Sequence, residues 1–179
     1  MERLNPVAQT LWIMCMDKLK VVVFGSFNAG KSSFIRSLDP ESRHVDADKD
    51  NGSTTVALDY GRVVVGDKKV YLFGTPGQER FEFVRQILAR GTDGAVVVVD
   101  STSEIDDMTL YLCEWLTDQD IPFVVMLNKC DCPGSAPEKF VDVICDGYAH
   151  KISALSGENV HEALSAFVNR IDVISRKNK

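Results

Sequence analysis

Apolar runs and helical apolar stripes alternate along most of this chain, and this alternation predicts its secondary structure. Short β-branched and aromatic runs bounded by glycine or polar residues favour strands, at 19–25, 56–65, 68–73, 94–100, 121–127 and 148–152. Apolar residues spaced three and four positions apart favour helices, at 31–38, 79–90, 104–119, 137–145 and 157–174. Strands that alternate with helices indicate an α/β protein with a mostly parallel sheet.

One connection and one long segment depart from this alternation. Gly66 and Asp67 join the second and third predicted strands directly, which favours a hairpin. The predicted sheet is therefore six-stranded and mostly parallel, with one antiparallel edge strand, and about five helices accompany it. The segment from Asp39 to Ser53 is rich in Asp, Ser, Gly and Asn and has no apolar period, so we expect a mobile loop there.

A phosphate-binding loop follows the first predicted strand. Its sequence, Gly-Ser-Phe-Asn-Ala-Gly-Lys-Ser at 25–32, fits the spacing G-x-x-x-x-G-K-S/T between a strand and a helix. The glycines allow backbone turns that a Cβ would obstruct, and a helix N-terminus attracts anions. Lys31 can reach the β and γ phosphate oxygens, while the Ser32 hydroxyl can ligate Mg²⁺. The residues expected around the phosphates are Gly25, Ser26, Phe27, Asn28, Ala29, Gly30, Lys31, Ser32 and Ser33.

A second motif lies at the carboxyl end of a later strand. The predicted strand 121–127 ends directly in Asn128-Lys129-Cys130-Asp131, the pattern N-K-x-D. Ligands of open α/β sheets bind outside the carboxyl ends of the strands, so this motif and the phosphate loop should face one crevice. The Asp131 carboxylate can accept hydrogen bonds from guanine N1–H and the exocyclic amine, whereas adenine has no donor at N1. The two motifs together predict a guanine nucleotide site.

Two further segments fit the same crevice. The turn Ser153-Ala154-Leu155, after the last predicted strand, can offer backbone N–H groups to the guanine carbonyl. Asn128 can reach a base edge or tie its loop to the phosphate loop, and the stem of Lys129 can lie against the purine. Between the predicted strands, Gly77 provides an amide near the γ-phosphate, and Gln78 provides a side chain able to position water.

These motifs resemble those of Ras-superfamily small GTPases over nearly all of 21–171. The segment 73–81, Phe-Gly-Thr-Pro-Gly-Gln-Glu-Arg-Phe, is similar to predicted prokaryotic GTPases related to the Arf type and the signal recognition particle receptor β subunit. The resemblance implies a P-loop NTPase three-layer fold and a GTP/GDP switch with slow, Mg²⁺-dependent GTP hydrolysis. Its switch I threonine corresponds to Thr55, whose spacing to Gly74 matches the Arf type, with Thr54 as the alternative.

The resemblance also implies a role for each matching position. The catalytic residues are Lys31, Thr55 and Gln78, and the Mg²⁺ ligands are Ser32 and Thr55. The base readers are Asn128, Lys129 and Asp131, supported by Ser153 and Ala154. Neither Arg43 nor Arg80 resembles a catalytic arginine, so we expect slow turnover that protein regulators accelerate.

One departure from the family pattern concerns the metal. Switch II of these GTPases usually begins D-x-x-G, with the Asp touching Mg²⁺ through water, and Gly74 occupies that place here. Loss of such a carboxylate costs about 10 to 100-fold in metal affinity or activity. Asp59 and Thr75 are candidate substitutes, and bound water is the third candidate. A guanine-nucleotide-binding interaction module with little or no hydrolysis is therefore the alternative function.

Asn28 leaves another alternative open. Potassium-activated GTPases place a cation-coordinating asparagine at this position of the phosphate loop. Those enzymes usually lack a catalytic glutamine in switch II, whereas this chain has Gln78. The sequence therefore favours hydrolysis without potassium activation.

Composition narrows the class of protein and its partners. The chain has 179 residues, of which 45% are hydrophobic, and this suits one domain with a substantial core. With 26 acidic and 20 basic residues its net charge is −6, which argues against nonspecific binding of nucleic acid. Five cysteines without a C-x-x-C pair favour reduced thiols in a cytoplasmic protein.

The predicted GTP-binding domain spans 19–174. The preceding extension, 1–18, has an apolar stretch too short to span a bilayer and lacks the pattern of a secretory signal. We expect it to cover an edge of the domain, with peripheral attachment to a membrane as the alternative. Residues 175–179 form a basic tail, and neither end carries a lipidation motif.

Overall fold

Seven strands and four helices make up the computed structural model, which describes residues 16–47, 56–77, 82–140 and 148–177. The strands are β1 Asp17–Phe24, β2 Arg43–Ala47, β3 Val56–Val65, β4 Lys68–Gly74, β5 Gly94–Asp100, β6 Phe123–Asn128 and β7 Ala149–Lys151. The helices are α1 Lys31–Leu38, α2 Glu82–Ala89, α3 Asp107–Asp118 and α4 Val160–Lys177. Residues 138–140 form a helical turn at the start of the fifth predicted helix, most of which lies outside the described residues.

The strands form one mixed sheet in the order β2-β3-β4-β1-β5-β6-β7. Strands β4, β1, β5, β6 and β7 pair in parallel, while β3 is antiparallel to both of its neighbours. The mostly parallel α/β sheet with an antiparallel part is confirmed. The parallel strands end at one edge of the sheet, so the loops that follow β1, β6 and β7 are brought together there.

The predicted number of strands was wrong because one strand lies in the segment predicted as a loop. Strand β2, Arg43–Ala47, pairs with β3, so the sheet has seven strands rather than six, and β3 is not the edge strand. Arg43 and His44 are both exposed. An edge strand is held by backbone hydrogen bonds and need not bury one face, so it shows no apolar alternation. Residues 48–53 of the predicted loop lie outside the described residues.

Strand β1 separates two apolar cores. Val21 and Val23 pack in a core with residues of α1 and α4, whereas Val22 and Phe24 pack in a core with residues of α2 and α3. All four side chains are fully buried. The sheet is therefore the middle of three layers, which explains why β1 is a continuous apolar run rather than an alternating one.

Capping and packing set the ends of the elements. Helix α3 begins after Asp106, whose carboxylate accepts a hydrogen bond from the Thr109 backbone N–H at 2.6 Å, and this cap places its start three residues later than predicted. Strand β1 begins at Asp17, and the preceding Met16 is buried.

None of the described helices has the length and apolar character needed to cross a membrane.

Gly94 lies where β5 passes closest to α4, and its replacement tests this packing. A Cβ at Gly94 would lie 2.7 Å from Ile171 Cδ1 and 2.8 Å from Phe167 Cζ. We expect Gly94→Ala to lower the free energy of unfolding by about 1–3 kcal/mol, because the added methyl overpacks a full core. Urea denaturation measures the change. Val173→Ala, at an exposed position of the same helix, is the control and should shift stability by less than about 0.5 kcal/mol.

Candidate nucleotide-binding site

The loop between β1 and α1 has a backbone that requires glycine at two positions. Gly25 and Gly30 have φ angles of 141° and 100°. A Cβ at Gly25 would lie 2.2 Å from the Val98 carbonyl oxygen, and one at Gly30 would lie 2.2 Å from Asn128 Nδ2. These contacts leave no room for a side chain, so both glycines fix the path of the loop.

The N-terminus of α1 is open to an anion. Gly30 occupies the capping position and offers no side-chain hydrogen bond, and the first turn of the helix contains no acidic residue. The backbone N–H groups of this turn, which includes Ser32 and Ser33, therefore have no side-chain cap. Such a helix end carries a partial positive charge and binds phosphate readily.

Lys31 lies inside the loop, bound to backbone carbonyl groups. Its ammonium donates to the carbonyl oxygens of Gly25 at 2.9 Å and Ser26 at 2.7 Å. Gly77 lies against it, because a Cβ there would be 2.6 Å from Lys31 Nζ and 2.7 Å from the Phe27 nitrogen. The loop and Gly77 thus surround a buried cation with neutral acceptors that phosphate oxygens can replace.

Burial sets the charge state of Lys31. It lowers the pKa of the ammonium to about 8, against the opposing effect of Asp59 and Asp106 and with the reinforcement of Arg85. A buried ammonium without a full counter-ion loses its proton more easily, because burial disfavours the charged form. An anionic ligand in the loop would restore the preference for the charged form.

The Asn128 side chain joins three loops. Its Nδ2 donates to the Ala29 carbonyl oxygen at 2.8 Å, and its Oδ1 accepts from the Ala154 N–H at 2.8 Å. The Ser101 hydroxyl donates to the Asn128 carbonyl oxygen at 2.6 Å. Asn128 itself is only 3% exposed. Of the two roles that the sequence allows for this side chain, the structure shows the connection between loops.

The other residues of the second motif differ in their surroundings. The Lys129 ammonium donates to the Asp100 carboxylate at 2.5 Å, and Lys129 has a φ angle of 64°. Burial works to raise the pKa of Asp100, but hydrogen bonds from Lys129 and Thr102 outweigh it and hold the pKa below its usual value. Asp131 is exposed, and within the described residues its carboxylate has no hydrogen-bond partner.

The turn 153–155 is bonded mainly to the protein itself. The Ser153 N–H donates to the Glu158 carbonyl oxygen at 3.1 Å, and the Ala154 N–H donates to Asn128. Leu155 is 86% exposed. Of the three backbone N–H groups, only that of Leu155 lacks an acceptor within the part of the chain that the structure describes.

Ser32 and Asp59 are in direct contact. The Ser32 hydroxyl donates to Asp59 Oδ2 at 2.5 Å, and His44 Nδ1 lies 2.7 Å from Asp59 Oδ1. Thr75, the other candidate substitute for the missing carboxylate, is buried, and both its N–H and its hydroxyl donate to the Val23 carbonyl oxygen. Asp59 is therefore the candidate that reaches the predicted metal ligand.

Some predicted site residues lie outside the residues that the structure describes, and some residues that contact the site were not predicted. Thr54, Thr55 and Gln78 fall outside the described residues, so their roles stay predictions. Two contact residues were not predicted: Asp106, which accepts a hydrogen bond from the Ser26 hydroxyl at 2.6 Å, and His44, which contacts Asp59. The position of Asp106 directly before an apolar helix pattern was a capping signal that could have marked it.

Comparisons with known proteins agree with this geometry. A family model described as 50S ribosome-binding GTPase matches residues 20–129. This chain belongs to that GTPase family. An uncharacterized protein of Methanocaldococcus jannaschii, MJ1339, is 39% identical over 118 residues, which cover 66% of this GTPase and 74% of that protein. Elongation factor 4 of Clostridium botulinum is 32% identical over 138 residues, which cover 72% of this chain and 23% of the elongation factor.

The fold of this GTPase is also that of a solved small GTPase. The Arl6 BBS3 small GTPase of Trypanosoma brucei, with the bound nucleotide analogue GppNp, matches with a TM-score of 0.64 at 21% identity. The match covers 87% of this chain and 98% of that one. The predicted P-loop fold is thereby confirmed, and the GTPase family that the family model shows binds guanine nucleotides.

Removal of the Asn128 side chain should separate the loops of this GTPase. We expect Asn128→Ala to lower the free energy of unfolding by about 2–4 kcal/mol, because two buried backbone groups, on Ala29 and Ala154, each lose a partner. We also expect weaker binding of GDP. Chemical denaturation and calorimetry measure the two effects. Gln86→Ala, at an exposed position of α2, is the control, and equal stability of the two variants would contradict the connecting role of Asn128.

The pKa of Lys31 predicts how nucleotide affinity depends on pH. Phosphates bind the ammonium form and raise its pKa, so GDP affinity should be full below pH 8 and should fall as the pH rises through about 8, the pKa of Lys31 without ligand. Calorimetric titration with GDP between pH 6.5 and 9 measures this. In Lys31→Arg the charge persists over the whole range, so its weaker binding should not show the added decline. A decline of equal size in both proteins would assign it to another group.

Proposed function

We propose that this protein is a GTP/GDP switch that binds GTP with Mg²⁺ and hydrolyses it slowly to GDP and phosphate. The observation that carries the proposal is the double hydrogen bond of Asn128, which holds the phosphate loop, the N-K-x-D motif and the turn 153–155 at one edge of the sheet. A phosphate-binding loop and a base-binding motif held at this fixed separation suit a single nucleotide. Binding of guanine rather than adenine follows from the exposed carboxylate of Asp131.

The side chains near the phosphate loop are suitable for Mg²⁺. This ion prefers oxygen ligands and keeps several waters, and the hydroxyl of Ser32 and the carboxylate of Asp59 provide such oxygens at the N-terminus of α1. Among the described residues no group of three or more His, Cys, Asp or Glu side chains could hold a metal by itself. Nucleotide phosphates and waters would complete the ion's coordination, with Ser32 and the predicted Thr55 as the protein ligands. When bound, the ion neutralises the charge that develops on the β and γ phosphate oxygens.

The chain's own groups act mainly by charge and position. Lys31 is held by backbone carbonyl groups, and the N–H groups of α1 are held by the helix, so they would stabilise developing negative charge with little reorganisation. Gly77 brings its backbone against Lys31. The predicted role of the following Gln78 is to orient the attacking water. Neither Arg43 nor Arg80 resembles a catalytic arginine in sequence, and the proposal therefore includes slow turnover without an activator.

We propose that loss of the γ-phosphate changes the two switch segments, and that partner proteins recognise this change. Thr55 and Gln78 lie in the two segments that the family uses as switches, and their order would depend on the γ-phosphate and Mg²⁺. We propose that cytoplasmic effector proteins and regulators bind one nucleotide state in preference to the other. The guanine-nucleotide-binding module without hydrolysis remains the second candidate, and Gly74 at the place of the usual aspartate favours it.

Single-turnover hydrolysis distinguishes the two functions. We expect the GTP-loaded protein to release phosphate faster than GTP in buffer, and Gln78→Leu to reduce the rate by at least about 10-fold, because the attacking water loses its positioning group. Gln86→Ala, which changes an exposed glutamine on the neighbouring helix, should leave the rate unchanged. Tight GTP binding without phosphate release above the buffer rate would favour the interaction module. Competition by ATP as effective as that by GTP would remove the guanine assignment.

A further inference from the structure

The Ser32 hydroxyl needs an acceptor for its proton if its oxygen is to ligate a cation. A hydroxyl has one donor hydrogen and two lone pairs, so a partner that takes the hydrogen turns the lone pairs toward the metal. Asp59 Oδ2 is that partner, at 2.5 Å from Ser32 Oγ. Hydrogen-bond partners of this kind fix the orientation of metal ligands.

Strand pairing brings this carboxylate from β3, not from the segment that follows β4. Asp59 lies directly opposite Gly74 in the antiparallel pairing of the two strands. A Cβ at Gly74 would lie 3.0 Å from Asp59 Cβ and 3.4 Å from Asp59 Oδ2. The two positions therefore compete for the same space, and glycine at 74 leaves room for the side chain at 59.

A histidine on the next strand holds the other oxygen of the same carboxylate. His44 lies opposite Asp59 in the pairing of β2 with β3, and His44 Nδ1 lies 2.7 Å from Asp59 Oδ1. The Nδ1–H tautomer donates in this pair, since an ionised carboxylate only accepts. The Asp59 side chain is 17% exposed, so it is held on two sides and still open to solvent.

We propose that Asp59 is the positioning residue of the magnesium site: its carboxylate accepts the hydrogen bond of the Ser32 hydroxyl and supplies, through water, the negative charge that related GTPases obtain from the first residue of switch II. Gly74 is the other half of this proposed exchange between two paired strands, because a side chain there would crowd Asp59. The inference rests on the proposed binding of GTP and GDP with Mg²⁺. It explains how the chain keeps a carboxylate beside the metal without the usual aspartate.

The Mg²⁺ dependence of GDP release tests this role without any measurement of hydrolysis. Release of a fluorescent GDP analogue is followed over a series of free Mg²⁺ concentrations and in excess EDTA. We expect Asp59→Asn, which keeps the shape of the side chain, to raise the Mg²⁺ concentration for half-maximal slowing by about 10 to 100-fold. Release in EDTA should stay close to that of the parent. Binding of Mn²⁺ to the GDP-loaded protein, measured by electron paramagnetic resonance, should weaken by a similar factor.

A relocated carboxylate and a matched control complete the test. Asp59→Gly combined with Gly74→Asp moves the carboxylate to the opposite strand and should restore most of the Mg²⁺ dependence, whereas Gly74→Asp alone should lower the melting temperature, because two side chains then crowd one space. Asp67→Asn, in the exposed turn between the same strands, should leave the Mg²⁺ titration unchanged.

Each result separates this inference from the proposed function. An unchanged Mg²⁺ titration in Asp59→Asn would overturn the role of Asp59 while leaving GTP binding intact. Equal acceleration of release in EDTA and in Mg²⁺ would also overturn it, since the residue would then only maintain the fold. A parent protein that binds no guanine nucleotide would overturn the proposed function itself.

Discussion

The site of this GTPase depends on one buried amide that is bonded at both ends. Asn128 donates to the phosphate loop and accepts from the turn that follows β7, and each partner is a backbone group. Because both partners are backbone groups, these hydrogen bonds fix the positions of the two loops independently of the side chains that the loops carry. Because the amide and both partners are buried, the protein loses a full desolvation penalty if any of these bonds is broken. The separation of the phosphate-binding and base-binding motifs is therefore set by hydrogen bonds within the protein.

The positive charge near the phosphate loop is local, whereas the protein as a whole is negatively charged. The chain carries a net charge of −6, yet a buried ammonium and a helix N-terminus lie together at the end of β1. Such groups act at short range, whereas surface charges are screened beyond about 8–10 Å. Backbone carbonyl groups of Gly25 and Ser26 hold Lys31 in place. An acidic protein can thus bind a polyanion with a few positioned donors.

The proposed exchange between Asp59 and Gly74 would let a sheet supply the same functional group at one place from either of two paired strands. Residues that face each other on antiparallel strands have neighbouring Cβ positions, so either can project a side chain into the same volume. Here the side chain comes from β3 and its neighbour has none. A motif defined along the chain misses such an exchange, because the two residues are separated in sequence although they are paired in the sheet.

The sequence by itself determined the elements and motifs whose signals are local. Strand β5 and helix α1 were predicted with their observed bounds, since buried parallel strands are continuous apolar runs and the glycine-rich loop marks where the helix begins. Only the tertiary structure decided the rest. Strand β2 exists because β3 offers it backbone hydrogen bonds, and the contact between Ser32 and Asp59 joins α1 to β3 across 27 positions of the chain. Local patterns record burial and backbone conformation, but which side chains meet across a sheet is fixed only when the strands pair.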